Sequence, residues 1–484
     1  MSITSALTNA LSGLTAQSKA AELVSSNVAN VSTPGYSRRE LILASRTVGT
    51  PGQGVQVMGV QRSVNLPLLG DRRLAQSASG DADTRAAFFK RVEQTIGTPD
   101  DAYSISGRAA AMNSALLEAS SHPEVEARLA NVLSSAKSLA RQIGSASKDI
   151  QAARAVANTE IGSEVTQLNA SLARVVKLNN QISNGVAVRQ DVSSLQDQRQ
   201  QIVDQIAKII PIREVQQPEG GVYLYTDAGA SILDVAPAVF GFTATSTVIP
   251  ATTIGAGLSG LTLNGNPIAT SGDRSYILGG TLSANFAIRD DLGVKAQAQL
   301  DAVARDLTER FADPALDSTR ALGDPGLFTD AGLAFDPLNE LGLSQRLQVN
   351  AVADPSQGGT LPRLRDGLGA TTIGPVGNST LLNAWRTALT SPREPASGGF
   401  MAGQRSFAGL SAGFLNSVAT SRLNADGDAT YAAARLDTFT VMEAENGVDT
   451  DSEMQSLLQI EQAYSANAKV ISAVQVMMQA VLDI

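Results

Sequence analysis

Heptad-spaced apolar residues at both ends of the 484-residue chain constrain its fold more than any other feature of the sequence. Each series repeats with alternating steps of three and four positions, which is typical of a helix that packs lengthwise against a partner helix. The first series stops at Thr33-Pro34-Gly35, where Pro disfavours helix and Gly supplies a turn. Its members are Ile3, Leu7, Ala10, Leu14, Ala21, Val24, Val28 and Val31, with Gln17 as the one polar member. The members of the second are Leu457, Ile460, Tyr464, Asn467, Ile471, Val474, Met478 and Val481. We therefore predict that the two terminal helices pair with each other as a coiled coil.

The outer faces of these helices are poor in charge. Residues 1–37 contain only Lys19 and Glu22 as charged side chains, although 17% of the whole chain is charged. A helix face in water normally carries charged residues, and here Ser, Asn and Gln stand in their place. The spacing alone fits a closing helix pair in an ordinary globular protein. The scarcity of charge favours helices that are buried in an assembly, with the two apolar series as the assembly interface.

The start of the C-terminal helix also carries a signal. Thr450 and Glu453 have the spacing of a capping box, in which Thr450 is the N-cap and the Glu453 side chain reaches back to it. Asn467 is a polar residue within the apolar series, and such a residue fixes the register of a helix pair at some cost in stability.

The chain between the two ends changes character several times. Residues 71–210 have helical periodicity, whereas 213–289 are rich in Val, Thr, Tyr and Gly and include an Asn264-Gly265 hairpin signal. Helical periodicity returns at 290–312 and again at about 379–391 and 405–446. The stretch 313–378 is rich in Gly and Pro, and we interpret it as irregular surface with short elements. The predicted fold is mainly α with an inserted β domain, in an elongated, rod-like, multi-domain subunit. The predicted domains are 1–37 plus 447–484 (terminal coiled coil), 38–212 plus 290–446 (mainly helical) and 213–289 (inserted β domain).

Composition excludes most catalytic and cofactor chemistry. The chain has no Cys, so thiolate chemistry is excluded. With one His, a histidine-based metal site would have to be built almost entirely from carboxylates, and we expect His122 to lie in a surface turn. A formal net charge of −9 argues against general binding to nucleic acid or to an anionic membrane surface. No stretch approaches the roughly 20 apolar residues of a membrane span. We predict no catalytic residues, no cofactor, no metal, no small-molecule substrate and no enzymatic activity.

Two strings resemble ligand-binding motifs without their context. Gly255 to Gly260 matches a dinucleotide fingerprint, but a hairpin strand rather than a helix follows it. Asn424 to Asp428 resembles the start of a calcium loop, but Ala429 and Arg435 stand where that loop needs Gly and Glu. We interpret the first string as a Gly-rich loop and the second as a turn between two helices.

The segment from Asn27 to Arg38, which reads Asn-Val-Ala-Asn-Val-Ser-Thr-Pro-Gly-Tyr-Ser-Arg, resembles the N-terminal signature of bacterial flagellar axial proteins. The segment from Gly447 to Ile471 resembles the C-terminal signature of the same family. The resemblance is closest to its hook-associated protein 1 group. It marks Asn30, Pro34, Gly35 and Tyr36 as the family signature turn.

This resemblance implies a structural subunit of the flagellum at the junction between hook and filament, exported unfolded by type III export and self-assembling through its terminal helices. It implies a cytoplasmic stage before export and an extracellular location afterwards. The implied partners are further copies in a homo-oligomeric ring, the hook protein, hook-associated protein 3 and an export chaperone on the C-terminal helix. Alternatives are another axial protein, such as hook-associated protein 3 or a rod component, and a hydrolase acting on polysaccharide or peptide.

Overall fold

The computed structural model describes residues 3–46, 54–98 and 100–483. Helices account for most of this part of the chain. They are α1 Ile3–Ala29, α2 Leu66–Ile96, α3 Ile105–Ser121, α4 Glu126–Ala187, α5 Ser193–Ile209, α6 Gly280–Ala287, α7 Gly293–Ala312, α8 Leu343–Arg346, α9 Arg363–Asp366, α10 Thr380–Thr390, α11 Phe407–Glu445 and α12 Thr450–Leu482. A π-helical turn, Ile288–Leu292, joins α6 to α7. Short 3-10 turns occur at Pro337–Asn339, Ala351–Ala353 and Pro355–Gln357.

The strands are short and form five small sheets in the described residues. They are β1 Arg39–Ser45, β2 Val55–Arg62, β3 Ile212–Gln216, β4 Val222–Thr226, β5 Ser231–Leu233, β6 Phe240–Gly241, β7 Thr253–Ile254, β8 Gly257–Leu258, β9 Leu261–Leu263, β10 Asn266–Ile268, β11 Phe328–Asp330 and β12 Leu347–Val349. Strands β1 and β2 form an antiparallel hairpin, β3-β4-β5 and β10-β9-β6 form three-stranded antiparallel sheets, and β11 pairs with β12. The prediction of a mainly α fold is confirmed.

Helix α4 organises the middle of the molecule. It runs for 62 residues, and no proline occurs between Pro123 and Pro211 to interrupt it. Its N-terminal half packs into a core built around Trp385, Phe311 and Phe328, where the rings of Phe311 and Phe328 lie 5.1 Å apart. From Ile161 onward it packs into a second core shared with α5, α6 and the strands. One continuous helix therefore spans both cores.

The β segment packs on helices rather than around a core of its own. Leu224, Ile232, Phe240 and Leu261 share the second core with α4 and α5. Asn264 and Gly265 connect β9 to β10 with positive φ angles, as the Asn-Gly pair predicts. Helix α6 lies inside the range 213–289, so the chain becomes helical again at Gly280 rather than at residue 290.

Two other sequence interpretations are wrong. The calcium-like string Asn424 to Asp428 is not a turn, because α11 continues through it without a break. The Gly- and Pro-rich stretch is not only surface, because it places Phe328, Leu343 and Leu364 in the first core. In the described ranges, no helix is both long enough and apolar enough to cross a membrane.

Candidate assembly interface

The two terminal helices lie antiparallel against each other. A Cβ atom on Gly13 of α1 would lie 2.8 Å from Nδ2 of Asn467 on α12. At the other end of the pair, Nε of Arg38 lies 2.6 Å from Oε1 of Glu453 in the first turn of α12. Position 13 therefore faces position 467, and the end of α1 faces the start of α12. The amide of Asn467, the residue expected to fix register, sits directly over the glycine.

The predicted residues of α1 are covered to different degrees. Ala10 and Val24 are buried, and five others are half-buried: Ile3, Leu7, Leu14, Ala21 and Val28. The β1–β2 hairpin covers a further face, where the backbone N–H of Val55 donates to Oγ of Ser12 over 3.1 Å. The helix ends at Ala29, so Val31, predicted to be its last apolar contact, lies in the following turn and is 46% exposed.

The predicted residues of α12 divide along its length. Val474 is 1% exposed, and Leu457, Ile460, Asn467 and Ile471 are half-buried. Tyr464, Met478 and Val481 are exposed. Because residue 467 faces residue 13 in an antiparallel pair, residues beyond about 477 extend past Ile3, where the described part of α1 begins. The far end of α12 therefore has an apolar face that α1 does not cover.

A hydrogen-bonded turn follows α1 and contains the signature residues. The buried Asn27 side chain holds it: Oδ1 accepts from the Tyr36 hydroxyl (2.9 Å) and from the backbone N–H of Arg39 (3.0 Å), while Nδ2 donates to the Arg39 carbonyl (3.0 Å). Nδ2 of Asn30 donates to the carbonyl of Ser26 over 2.9 Å. The Asn27 amide thus closes the chain reversal between α1 and β1.

Two further signature residues dock this turn on α5. The Pro34 carbonyl accepts from Nε2 of Gln201 over 2.7 Å. Gly35 has a φ of +77°, a region that L side chains rarely adopt, and a Cβ there would lie 2.6 Å from Cγ of Gln201. Only glycine fits this position without strain, so the signature turn is shaped to lie against α5.

Charged side chains that the sequence analysis did not single out connect the pair to the rest of the molecule. Asp197 of α5 accepts from Arg39 (3.0 Å) and from Arg62 of β2 (2.7 Å). The predicted capping box at Thr450 does not form, because Asp449 is the N-cap and Glu453 is bound by Arg38. These partners are far apart in the sequence, so no local spacing could have revealed them.

The other residues considered for catalysis or metal binding do not come together in a site. His122 caps the end of α3 with an exposed ring 3.1 Å from Glu124. Across the ranges 3–46, 54–98 and 100–483, no group of three or more acidic or His side chains could hold a metal ion. The geometry that brings most of the predicted residues together is a helix pair, which offers a protein-binding surface.

Three family models of flagellar proteins match separate parts of the chain. Residues 89–326 match the family model described as "Flagellar hook-associated protein FlgK helical domain". Residues 7–36 match "Flagella basal body rod protein", and residues 443–484 match "Flagellar basal body rod FlgEFG protein C-terminal". These matches support a FlgK-type flagellar hook-associated protein. The two rod-protein matches overlap α1 with its turn and α12.

Individual relatives of the chain are also flagellar hook-associated proteins. Flagellar hook-associated protein 1 of Salmonella typhimurium is 31% identical over 238 residues, covering 48% of this chain and 42% of the relative. That of Bacillus subtilis is 26% identical over 244 residues, covering 47% of each chain. A solved FlgK structure from Burkholderia pseudomallei aligns with a TM-score of 0.44 at 21% identity, over 54% of this chain and 46% of that one. The chain thus matches less than half the length of these curated relatives.

Proposed function

We propose that this protein is a structural subunit of the bacterial flagellum that forms part of the hook–filament junction, and that it is not an enzyme. The observation that supports this most is the antiparallel pair of charge-poor helices from the two ends of the chain, each lying mostly within a match to a flagellar rod-protein family model. Such a pair offers apolar and small side chains to neighbouring helices over its whole length.

In the proposed assembly the terminal helices form a coiled coil that packs against neighbouring copies in a ring. The terminal domain is 1–37 plus 447–484, of which residues 1, 2 and 484 lie outside the described residues. The helical part, 38–212 plus 290–446, forms a second layer, and the β segment 213–289 lies outside it. The hook protein and hook-associated protein 3 are the proposed neighbours along the axis, and the assembled protein is extracellular.

Deleting the gene in its own bacterium tests this assignment. We expect intact hooks without attached filaments, and filament protein released into the medium, both visible by electron microscopy and immunoblotting. A rod component would instead abolish the hooks as well. Normal filaments and motility in the deletion strain would contradict the assignment.

The uncovered far end of α12 suggests how the subunit is handled before assembly. We propose that an export chaperone binds the apolar stripe of α12 in a helix-in-groove mode, on the surface that later contacts α1 and neighbouring copies. The stripe consists of Leu457, Ile460, Tyr464, Ile471, Val474 and Met478. Chaperone binding and assembly would then exclude each other, which keeps the cytoplasmic subunit monomeric.

Calorimetry with the export chaperone of the same bacterium tests this sharing of one surface. Ile471→Asp with Val474→Asp places two charges in the stripe and should weaken chaperone binding at least about tenfold, since each charge must lose water to enter an apolar groove. Ser465→Asp with Ser472→Asp is the matched control, because both serines are exposed on the face that carries Glu461 and Lys469. Unchanged affinity of the Ile471/Val474 variant would rule out the shared stripe.

A further inference from the structure

One buried ion pair connects the two ends of the chain. Glu453 in the first turn of α12 is 1% exposed, and Oε1 accepts from Nε of Arg38 over 2.6 Å. The two residues are 415 positions apart in sequence. The buried carboxylate depends strongly on its partner, because removing Arg38 would leave Glu453 without water or a counter-charge.

Arg38 lies at the end of a turn that is anchored elsewhere to α1 and α5. Asn27 of α1 holds Tyr36 and both backbone groups of Arg39. On the α5 side, Gln201 holds the Pro34 carbonyl and Asp197 holds the Arg39 side chain. The Arg38 side chain provides the ion pair that connects this turn to α12.

The end of α11, just before α12, has a separate connection to α5. Arg72 of α2 binds Glu443 near the end of α11 (2.6 Å) and Asp204 of α5 (2.7 Å). A groove of about 620 Å³ separates this connection from the turn, lined by residues such as Asn65, Leu68 and Asn446. Across that groove the Arg38–Glu453 pair is the direct charge link between the turn and α12 in the described residues.

We propose that Arg38 and Glu453 are positioning residues that form a reciprocal lock, in which their ion pair adds stability to the signature turn only when α12 is seated, and to the first turn of α12 only when the signature turn is formed. The proposal rests on the assembly function above and adds how the subunit couples its two ends. Thermodynamic coupling of this kind is necessarily mutual, so a change at one end must appear at the other. A chain with one terminal helix displaced would then fail to present the interface.

Amide hydrogen exchange of the full-length chain measures this coupling directly. Glu453→Gln should speed exchange at 30–39 as well as at 450–456, by at least about fivefold, the low end of typical coupling between sites. Arg38→Gln should do the same from the other end. The double variant should exchange no faster than the more affected single variant, because with both charges gone no buried charge is left unpaired.

Two control variants distinguish the effect of losing the Arg38–Glu453 pair from the effect of losing any charge in these segments. Glu40→Gln removes the exposed second partner of Arg38, and Lys19→Gln breaks the exposed Lys19–Glu22 pair on α1. Both should leave exchange in the two segments unchanged. The lock is refuted if Glu453→Gln affects only 450–456, or if the two single effects add in the double variant.

Incorporation into flagella is the second readout. Glu453→Gln and Arg38→Gln should each lower the number of filaments restored in a deletion strain, while the two controls restore them as the unchanged protein does. Loosened segments with normal incorporation would overturn the positioning role. If the unchanged protein itself restores no filaments, the proposed function fails, whereas the exchange result still decides whether the lock exists.

Discussion

At the scale of single residues, Gly13 and Asn467 give the terminal helix pair its closest approach. Glycine in a helix interior costs about 0.5–1 kcal/mol relative to alanine, so Gly13 is kept at a cost to α1. That cost makes room for the Asn467 amide, which also donates to the Ala463 carbonyl over 3.0 Å. The glycine therefore sets which residue of α12 can lie opposite it.

A double-mutant comparison tests this register contact. In an Asn467→Ala background, Gly13→Ala should raise the free energy of local opening of α1 by about 0.5–1 kcal/mol, because only the helix-propensity gain remains. In the unchanged protein the same substitution should give a smaller gain or a loss, since Asn467 must move. Hydrogen exchange of α1 peptides measures both values. Equal gains in the two backgrounds would show that Gly13 does not accommodate Asn467.

Glu164 on α4 makes a pH-dependent contribution to the stability of the fold. Burial raises the pKa of this carboxyl above the ordinary glutamate value, against the lowering effect of hydrogen bonds from Thr281 and Asn285. A carboxyl whose pKa is higher folded than unfolded favours the folded state while protonated. That contribution is lost as the pH rises through the raised pKa.

Glu164→Gln should therefore become progressively more stable than the unchanged protein as the pH rises from about 4 to neutrality. Urea midpoints measured across that range give the comparison. Glu126→Gln, at an exposed position in the first turn of α4, is the control for removing a carboxylate from this helix. A stability difference that does not change with pH would contradict the assigned role of burial.

At the scale of elements, hydrophobic periodicity predicted which segments are helices but not which elements pack against them. The heptad series identified α1 and α12, and an Asn-Gly pair identified the β9–β10 hairpin. Periodicity could not show that β1 and β2 lie along α1, since contacts between strands and a helix leave no repeat in the sequence. It could not find the Arg38–Glu453 pair for the same reason, and Glu453 was assigned to a cap that Asp449 provides instead.

Local motifs failed where packing outweighed them. The Asp- and Gly-containing string at 424–428 favours a turn by composition. In the structure it lies in α11, which packs along α2 and buries Ala425 and Ala432. Favourable neighbours and tertiary contacts along a 39-residue helix thus override one glycine and two aspartates.

The structure also predicts a gradient of local stability along α12. Its first seven turns include the buried Glu453 and Val474, whereas Met478 and Val481 are exposed. Amides from about 478 to 482 should exchange at least about tenfold faster than those at 456–474 in the isolated subunit, because few buried contacts oppose fraying there. Assembly or a bound chaperone should slow them. Uniform exchange along α12 would contradict this description.

At the scale of the whole molecule, α4 makes one body of two cores, and the chain ends are attached to that body through the signature turn and the α11–α12 connection. The β segment is part of this body, because its strands share a core with α4 and α5. The terminal helix pair is attached to this body and presents an apolar, charge-poor surface. The proposed role of this pair is to be the surface by which the subunit joins the flagellum.

Resupplying variants to a deletion strain and counting filaments by electron microscopy tests that claim most directly. The unchanged protein and Ser465→Asp/Ser472→Asp should restore filaments on the hooks. Ile471→Asp/Val474→Asp should be exported, as judged by immunoblot of the medium, yet leave the hooks bare, because two charges in the α1–α12 seam prevent pairing. Filaments restored by the Ile471/Val474 variant as fully as by the unchanged protein would contradict the account.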